Sequence, residues 1–291
     1  MLSGMTLFEA INYSMSAIST TGMDISTTGL TTTHNGWNAI GIHNYWTDIS
    51  LILIMLLGAT SFSVHYLFWK SKDLKSYFSD TEFKALIIIG LISAFSIIPK
   101  LGIESAIFHA ISAITGGGFS IEMPLKIGEW ESFSLIILSA AMFIGGSSAS
   151  TAGGIKLNRF IIFIKSIHWK IMLTMLPKNS IISKKFEGQT VEETQIKEIT
   201  QFIAFFALFI FLGTLILTFQ GYPLDTATFE VVSAQSNVGI SAGISNETIP
   251  LLSKTMLIFN MWIGRIEILP FFILLGLIAS IFKTEKIKSR K

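Results

Sequence analysis

The chain has 291 residues, of which 51% are hydrophobic and 14% charged, with a mean hydropathy of +0.62. Soluble domains carry about 25% charged residues, so this deficit marks a membrane protein. A formal net charge of +2 argues against nucleic-acid binding, and the lack of cysteine excludes disulfides and cysteine-held metals.

A bilayer crossing needs about 20 mostly apolar residues. Residues 7–18 form a short stretch of helical type, too short to cross, which runs into Ser16-Ala-Ile-Ser-Thr-Thr-Gly22-Met23. A first span is predicted near residues 47–69 and a second near 83–98. A second short stretch, 103–114, runs into Ser112-Ala-Ile-Thr-Gly-Gly-Gly118-Phe119. The third span begins near Phe133, is interrupted by small residues from Gly145 to Gly154, and resumes to about Leu176. A loop of mixed charge, 177–198, reads as solvated. The fourth span covers 199–219, and a third short stretch, 226–234, runs into Ser233-Ala-Gln-Ser-Asn-Val-Gly239-Ile240. A fifth span covers 255–282, and a basic tail ends the chain.

Lysine and arginine set the orientation. Lys70, Lys72, Lys75, Lys84, Lys156, Arg159, Lys165, Lys170, Lys178, Lys184, Lys185, Lys197 and the tail residues from Lys283 to Lys291 fall on one side. Only Lys100, Lys126 and Lys254 fall on the other, beside many acids. The positive-inside rule makes the lysine-rich side, and the C-terminus with it, cytoplasmic.

The three short segments lie on the opposite, outer side and share one pattern. In each, Ser-Ala stands six and five residues before a glycine that a bulky apolar residue follows. A short helix followed by a glycine-bearing strand of small residues is what a re-entrant pore loop requires. The helix aims its carbonyl end, with its partial negative charge, at a common axis. The glycine lets backbone carbonyls turn toward an ion, and rings of such carbonyls replace its hydration shell. Irregular backbone at membrane depth is tolerated where it lines such a cavity. The interruption from Gly145 to Gly154 meets the same constraint, since freed backbone groups facing lipid cost several kcal/mol each. It reads as an intramembrane loop or as a packed small-residue helix interface. It lacks the Gly-Lys-Ser/Thr ending of a phosphate loop.

These residues resemble the Trk/Ktr/HKT superfamily of potassium and sodium transporters. The resemblance rests on Thr20-Thr-Gly-Met-Asp, Gly58-Ala-Thr-Ser-Phe-Ser-Val-His65-Tyr, Phe143-Ile-Gly-Gly-Ser-Ser-Ala-Ser-Thr-Ala-Gly-Gly-Ile-Lys156, Asn237-Val-Gly239 and Gly264-Arg265-Ile-Glu267. It implies an all-α integral membrane protein with span–pore loop–span repeats around a central ion pore, here with three of an expected four pore loops. The chain divides into the second repeat's loop and span (1–75), a third repeat with a broken inner helix (76–176), a cytoplasmic loop (177–198), a fourth repeat (199–282) and a basic tail (283–291). Repeat one and the leading span of repeat two are expected to be absent. The chain then reads as a truncated or split protein, inactive alone.

The resemblance assigns a potassium filter to Thr20, Thr21, Gly22, Thr115, Gly116, Gly117, Gly118, Asn237, Val238 and Gly239. It assigns gating to Gly145, Gly146, Gly153, Gly154, Lys156 and Arg265. The implied activity is potassium transport, with a sodium-permeable transporter of the same family as the alternative. K+ is cargo, and no covalently bound cofactor is implied. Implied partners are a second copy of the chain, a cytoplasmic nucleotide-binding regulatory subunit of TrkA type, and membrane lipid. Arg265, a charge deep in a span, faces either the pore or an ion-pair partner on another helix. His65 and His109 are expected to be hydrogen-bonded inside the bundle. Glu104, Asp225 and Glu230 read either as acids that concentrate cations at the outer mouth or as helix-start acids. Trp37, Trp46, Trp69 and Trp130 fit interfacial belts.

Overall fold

The computed structural model describes residues 6–23, 45–121, 127–177 and 182–266. Asp24, Trp37, Lys126, Lys178, Glu267, the second half of the fifth span and the basic tail lie outside the described residues.

Helix α1, Leu7–Ile18, starts at Thr6, where the Thr6 hydroxyl accepts from the Glu9 amide and the Glu9 carboxylate accepts from the Thr6 amide. The first predicted span is two helices, α2 (Tyr45–Gly58) and α3 (Phe62–Ser71), bent by 96° at their junction. The bend follows from what the junction touches. A Cβ on Gly58 would stand 2.4 Å from the Ile18 carbonyl oxygen, so α1 butts against the end of α2. The backbone groups freed by the break are satisfied by a distant segment: Ser147 N–H donates to Ala59 O and Phe62 N–H to Ala149 O, both at 3.0 Å.

After the short α4 (Lys75–Ser79), the span α5 (Thr81–Leu101) is capped by Asp80, whose carboxylate accepts from the Phe83 amide at 2.6 Å. Then come α6 (Ile103–Thr115), α7 (Ser132–Ile144) and α8 (Leu157–Met175). A two-stranded hairpin, β1 (Lys185–Phe186) with β2 (Gln189–Thr190), precedes α9 (Glu193–Phe219), α10 (Leu224–Gln235) and α11 (Leu251–Ile266). The hairpin departs from the solvated loop expected there. Phe186 of β1 and Val191, just after β2, bury themselves against Ile162 and Trp169 of α8, and a capping box at Glu192 starts α9 six residues early.

The main core surrounds α6. Ten of its 13 residues are buried, and Ala110 and Ile114 pack with Leu86 and Ile97 of α5, Leu135 and Leu138 of α7, and Phe229 and Val232 of α10. A helix this short cannot cross a bilayer, yet it is wrapped on every side. α5 and α9 are long and apolar enough to span. α5 turns Ile88, Leu91, Ile92 and Phe95 outward, each more than half exposed, and this one-sided apolar stripe suits lipid rather than water. The protein is an all-α membrane protein in which short buried helices sit among spanning ones.

Candidate functional site

The three segments that share a sequence pattern also share a backbone. In each, the amide five residues after the pattern's serine donates to that serine's carbonyl: Thr21 to Ser16 at 3.1 Å, Gly117 to Ser112 at 2.9 Å, Val238 to Ser233 at 2.9 Å. This closes the helix end. The fourth residue after each serine, Thr20, Gly116 or Asn237, has φ of +49°, +70° or +54°. The sixth, Gly22, Gly118 or Gly239, has φ of +62°, +76° or +99°. Left-handed residues at alternate positions turn neighbouring carbonyls toward the same side of the strand. The serine hydroxyls pin the strands: Ser16 Oγ donates to Met23 O at 2.9 Å, Ser112 Oγ to Phe119 O at 2.7 Å, and Ser233 Oγ accepts from Gly239 N–H at 3.1 Å.

The strands meet at their glycines. A Cβ on Gly22 would lie 2.7 Å from Gly118 Cα, and one on Gly118 would lie 2.2 Å from Val238 O. The first strand therefore touches the second and the second touches the third, while Gly239 faces open space. Gly117 backs onto Met55 of α2, and Thr115 turns its hydroxyl back to Ile111 O at 2.6 Å, inside the helix.

The small-residue interruption is a compact loop, 145–156, between α7 and α8. Its ends are zipped together: Ile155 N–H donates to Phe143 O, Lys156 N–H to Ile144 O and Leu157 N–H to Gly146 O, at 2.9–3.0 Å. Gly145 packs directly on Gly153 and Gly154. The loop reaches the ends of all three short helices. Thr151 Oγ1 donates to Gly58 O at 2.9 Å and Ile18 O at 3.1 Å, and accepts from Thr20 Oγ1 at 3.1 Å. A Cβ on Gly116 would stand 3.3 Å from Gly153 N, and one on Gly153 would stand 1.8 Å from Ser236 O.

Glu82, on the first turn of α5, accepts from the Ser148 amide and holds the loop's outer edge. It is 8% exposed. Glu82→Ala leaves that amide without its acceptor and is expected to cost about 1–3 kcal/mol. A lowered midpoint of thermal unfolding in detergent would report it, whereas an unchanged midpoint would show that the latch contributes nothing.

Arg265 is exposed on the last described turn of α11. Its neighbour Gly264 seats that turn on the third loop, where a Cβ would stand 1.8 Å from Gln235 O and 2.8 Å from Asn237 Nδ2. Lys156, with φ of +72°, begins α8. The two histidines lie among hydrogen bonds, as expected: His65 Nε2 and Nδ1 pair with Leu57 O and Tyr77 Oη, and His109 with Ser105 O and Ser120 Oγ. Asp225 starts its helix, accepting from the Thr226 amide and the Ser132 hydroxyl. Glu230 is different from expectation. It is 4% exposed, and its carboxylate accepts from Ser241 Oγ and Ala242 N–H at 2.8 Å and from Ser245 N–H at 3.2 Å, so it is neither a mouth acid nor a helix start. Thr151, Glu82 and Ser236 were absent from the sequence-derived site, and Glu230 entered the sequence reading only as an acid of the outer mouth or of a helix start.

A pocket of about 600 Å³ between α8 and α9 is lined by none of the residues of the three strands or of the 145–156 loop. Among the described residues, no cluster of histidine and acidic side chains is placed to hold a metal.

Residues 102–283 match the TrkH family, described as a cation transport protein. The chain is 34% identical to an uncharacterized cation transporter of Methanocaldococcus jannaschii, over 94% of this chain and 54% of that protein. It is 29% identical to the Trk system potassium uptake protein TrkH of Halomonas elongata, over 92% of this chain and 56% of that protein. Its fold matches the crystal structure of the potassium transporter TrkH from Vibrio parahaemolyticus with a TM-score of 0.76 at 23% identity, over 94% of this chain and 59% of that one. The chain thus spans about half the length of the curated relatives it matches. With the family model covering well over half of its residues, this membrane chain belongs to the TrkH family.

Proposed function

We propose that this chain builds three walls of a carbonyl-lined potassium pathway through the cell membrane, closed from below by the 145–156 loop. The carrying observation is the convergence of three strands with one backbone pattern at Gly22, Gly118 and Val238, directly above a loop that is bonded to the end of the first short helix and packed on the ends of the other two. Carbonyl rings suit a weakly hydrated monovalent cation, and helix C-termini aimed at the same place lower the cost of its dehydration. The filter residues are Thr20, Thr21, Gly22, Thr115, Gly116, Gly117, Gly118, Asn237, Val238 and Gly239. Gly145, Gly146, Gly153, Gly154 and Lys156 shape the gate, and Arg265 stands below the third strand as an electrostatic barrier to cations.

The lysine-rich end faces the cytoplasm, with the C-terminus on that side. The relatives named as potassium uptake proteins of a Trk system support potassium as cargo and further components of such a system as partners; for these we propose a second copy of the chain and a cytoplasmic nucleotide-binding regulatory subunit. The basic inner surface also suits anionic lipid. In a host lacking its own potassium uptake, the full-length protein is expected to restore growth on low potassium and to take up rubidium. Failure to move either ion, with the protein present in the membrane, would refute the assignment.

A further inference from the structure

The shared register of the three loops extends beyond the glycines. Three residues before each pattern serine, on the buried side of the helix, stand Tyr13, His109 and Glu230. Eight residues after the serines of the second and third loops stand Ser120 and Ser241. The structure joins these positions twice, with unlike chemistry. His109 is fully buried, and its Nδ1 lies 2.8 Å from Ser105 O. A carbonyl only accepts, so Nδ1 carries the proton, and in the neutral ring Nε2 is left to accept from Ser120 Oγ at 3.0 Å. Trp130, edge-on to the ring with centroids 4.9 Å apart, fixes its plane. In the third loop the acceptor is the Glu230 carboxylate, which takes the Ser241 hydroxyl and two further amides of the same return strand. In both loops the serine hydroxyl of the return strand donates to an acceptor on the short helix. Tyr13, in the first loop, packs its ring on Phe119, the residue after Gly118, with centroids 6.0 Å apart.

We propose that His109 and Glu230 are positioning residues for ion selection: from behind the strands they anchor Ser120 and Ser241 and so fix how far the carbonyls between Thr115 and Phe119, and between Ser236 and Ile240, stand from the axis. Each brace clamps its strand beyond the glycine, while the backbone carbonyls of Ser112 and Ser233, which accept from the Gly117 and Val238 amides, hold it on the near side. A strand held at both ends cannot relax around a smaller ion. This rests on the reading of the strands as an ion filter.

The test is rubidium against sodium uptake by the full-length protein and its variants, at matched abundance in the membrane. Ser120→Ala and Ser241→Ala remove one hydroxyl each and leave the helices intact. Each is expected to lower the rubidium preference about tenfold, the effect of losing one anchoring hydrogen bond. His109→Leu should do the same, and the His109→Leu/Ser120→Ala double variant should be no worse than the poorer single one. His109→Gln, which keeps an acceptor, should recover most of the preference. An unchanged ratio in both serine variants, or additive losses in the double variant, would overturn the proposal. A wild-type protein that moves neither ion would remove the filter reading and the proposal with it.

Discussion

Gly118→Ser in the full-length protein is expected to lower its preference for rubidium over sodium by about tenfold or more, the scale set by 1–3 kcal/mol of backbone strain at a functional strand. Two independent costs meet at this residue. Its φ of +76° is one that L side chains rarely adopt. Its Cβ would also stand 2.2 Å from Val238 O and 3.1 Å from Gly22 Cα. Both neighbours are backbone, so no side chain can swing aside, and the strands themselves must part. Parting them moves the carbonyls of two loops at once, and a wider ring selects less well for the larger, less hydrated ion. Gly188 supplies a control. It has φ of +80° in the exposed hairpin, yet nothing lies within 4 Å of its Cβ position. Gly188→Ser therefore carries the dihedral strain alone and should leave selectivity untouched. Gly239, with φ of +99° and open space at its Cβ, should fall between them. Equal selectivity in the Gly118→Ser and wild-type proteins would sink the filter assignment.

The sequence made some of this legible and hid the rest for identifiable reasons. The short helices were found almost to the residue, because the Ser-Ala pattern marks their ends and α6 runs from Ile103 to Thr115 against an expected 103–114. Self-similarity of residue type also led to Gly22, Gly118 and Gly239. It did not lead to His109 and Glu230. Those positions are equivalent in register but carry tyrosine, histidine and glutamate, and only the folded return strand reveals their common task. The 96° bend between α2 and α3 was invisible for another reason. The junction, Gly58-Ala-Thr-Ser-Phe-Ser, holds neither proline nor charge to mark a break, and the groups that satisfy it, Ser147 and Ala149, lie nearly 90 residues away. Hydropathy cannot see a hydrogen bond to a distant loop. The hairpin before α9 escaped because two-residue strands leave no periodicity, and the charges of Lys184, Lys185 and Glu187 disguised the buried Phe186.

Gly153→Ala is expected to raise resting rubidium flux about tenfold while leaving the rubidium-to-sodium ratio unchanged. Gly153 does not have a left-handed φ, so alanine brings no dihedral strain there, only volume. That volume lands 1.8 Å from Ser236 O and 2.9 Å from its carbonyl carbon, at the end of α10. Overpacking of this kind costs about 1–3 kcal/mol where the neighbours cannot yield. α10 cannot yield easily, since nine of its 12 residues are buried. The loop can. Its two ends are zipped by backbone bonds and its far edge is held by Glu82, but between these points it rests on the three helix ends through Thr151, Gly153 and Ala152. Relief at Ser236 thus tilts the loop away from the strands rather than disturbing them. A gate loosened beneath an intact filter passes more ions with the same preference, whereas a damaged filter passes them with a poorer one. The pair of measurements separates the two elements: a changed ratio in Gly153→Ala would place this glycine in the filter's support, and unchanged flux would show that the 145–156 loop does not gate.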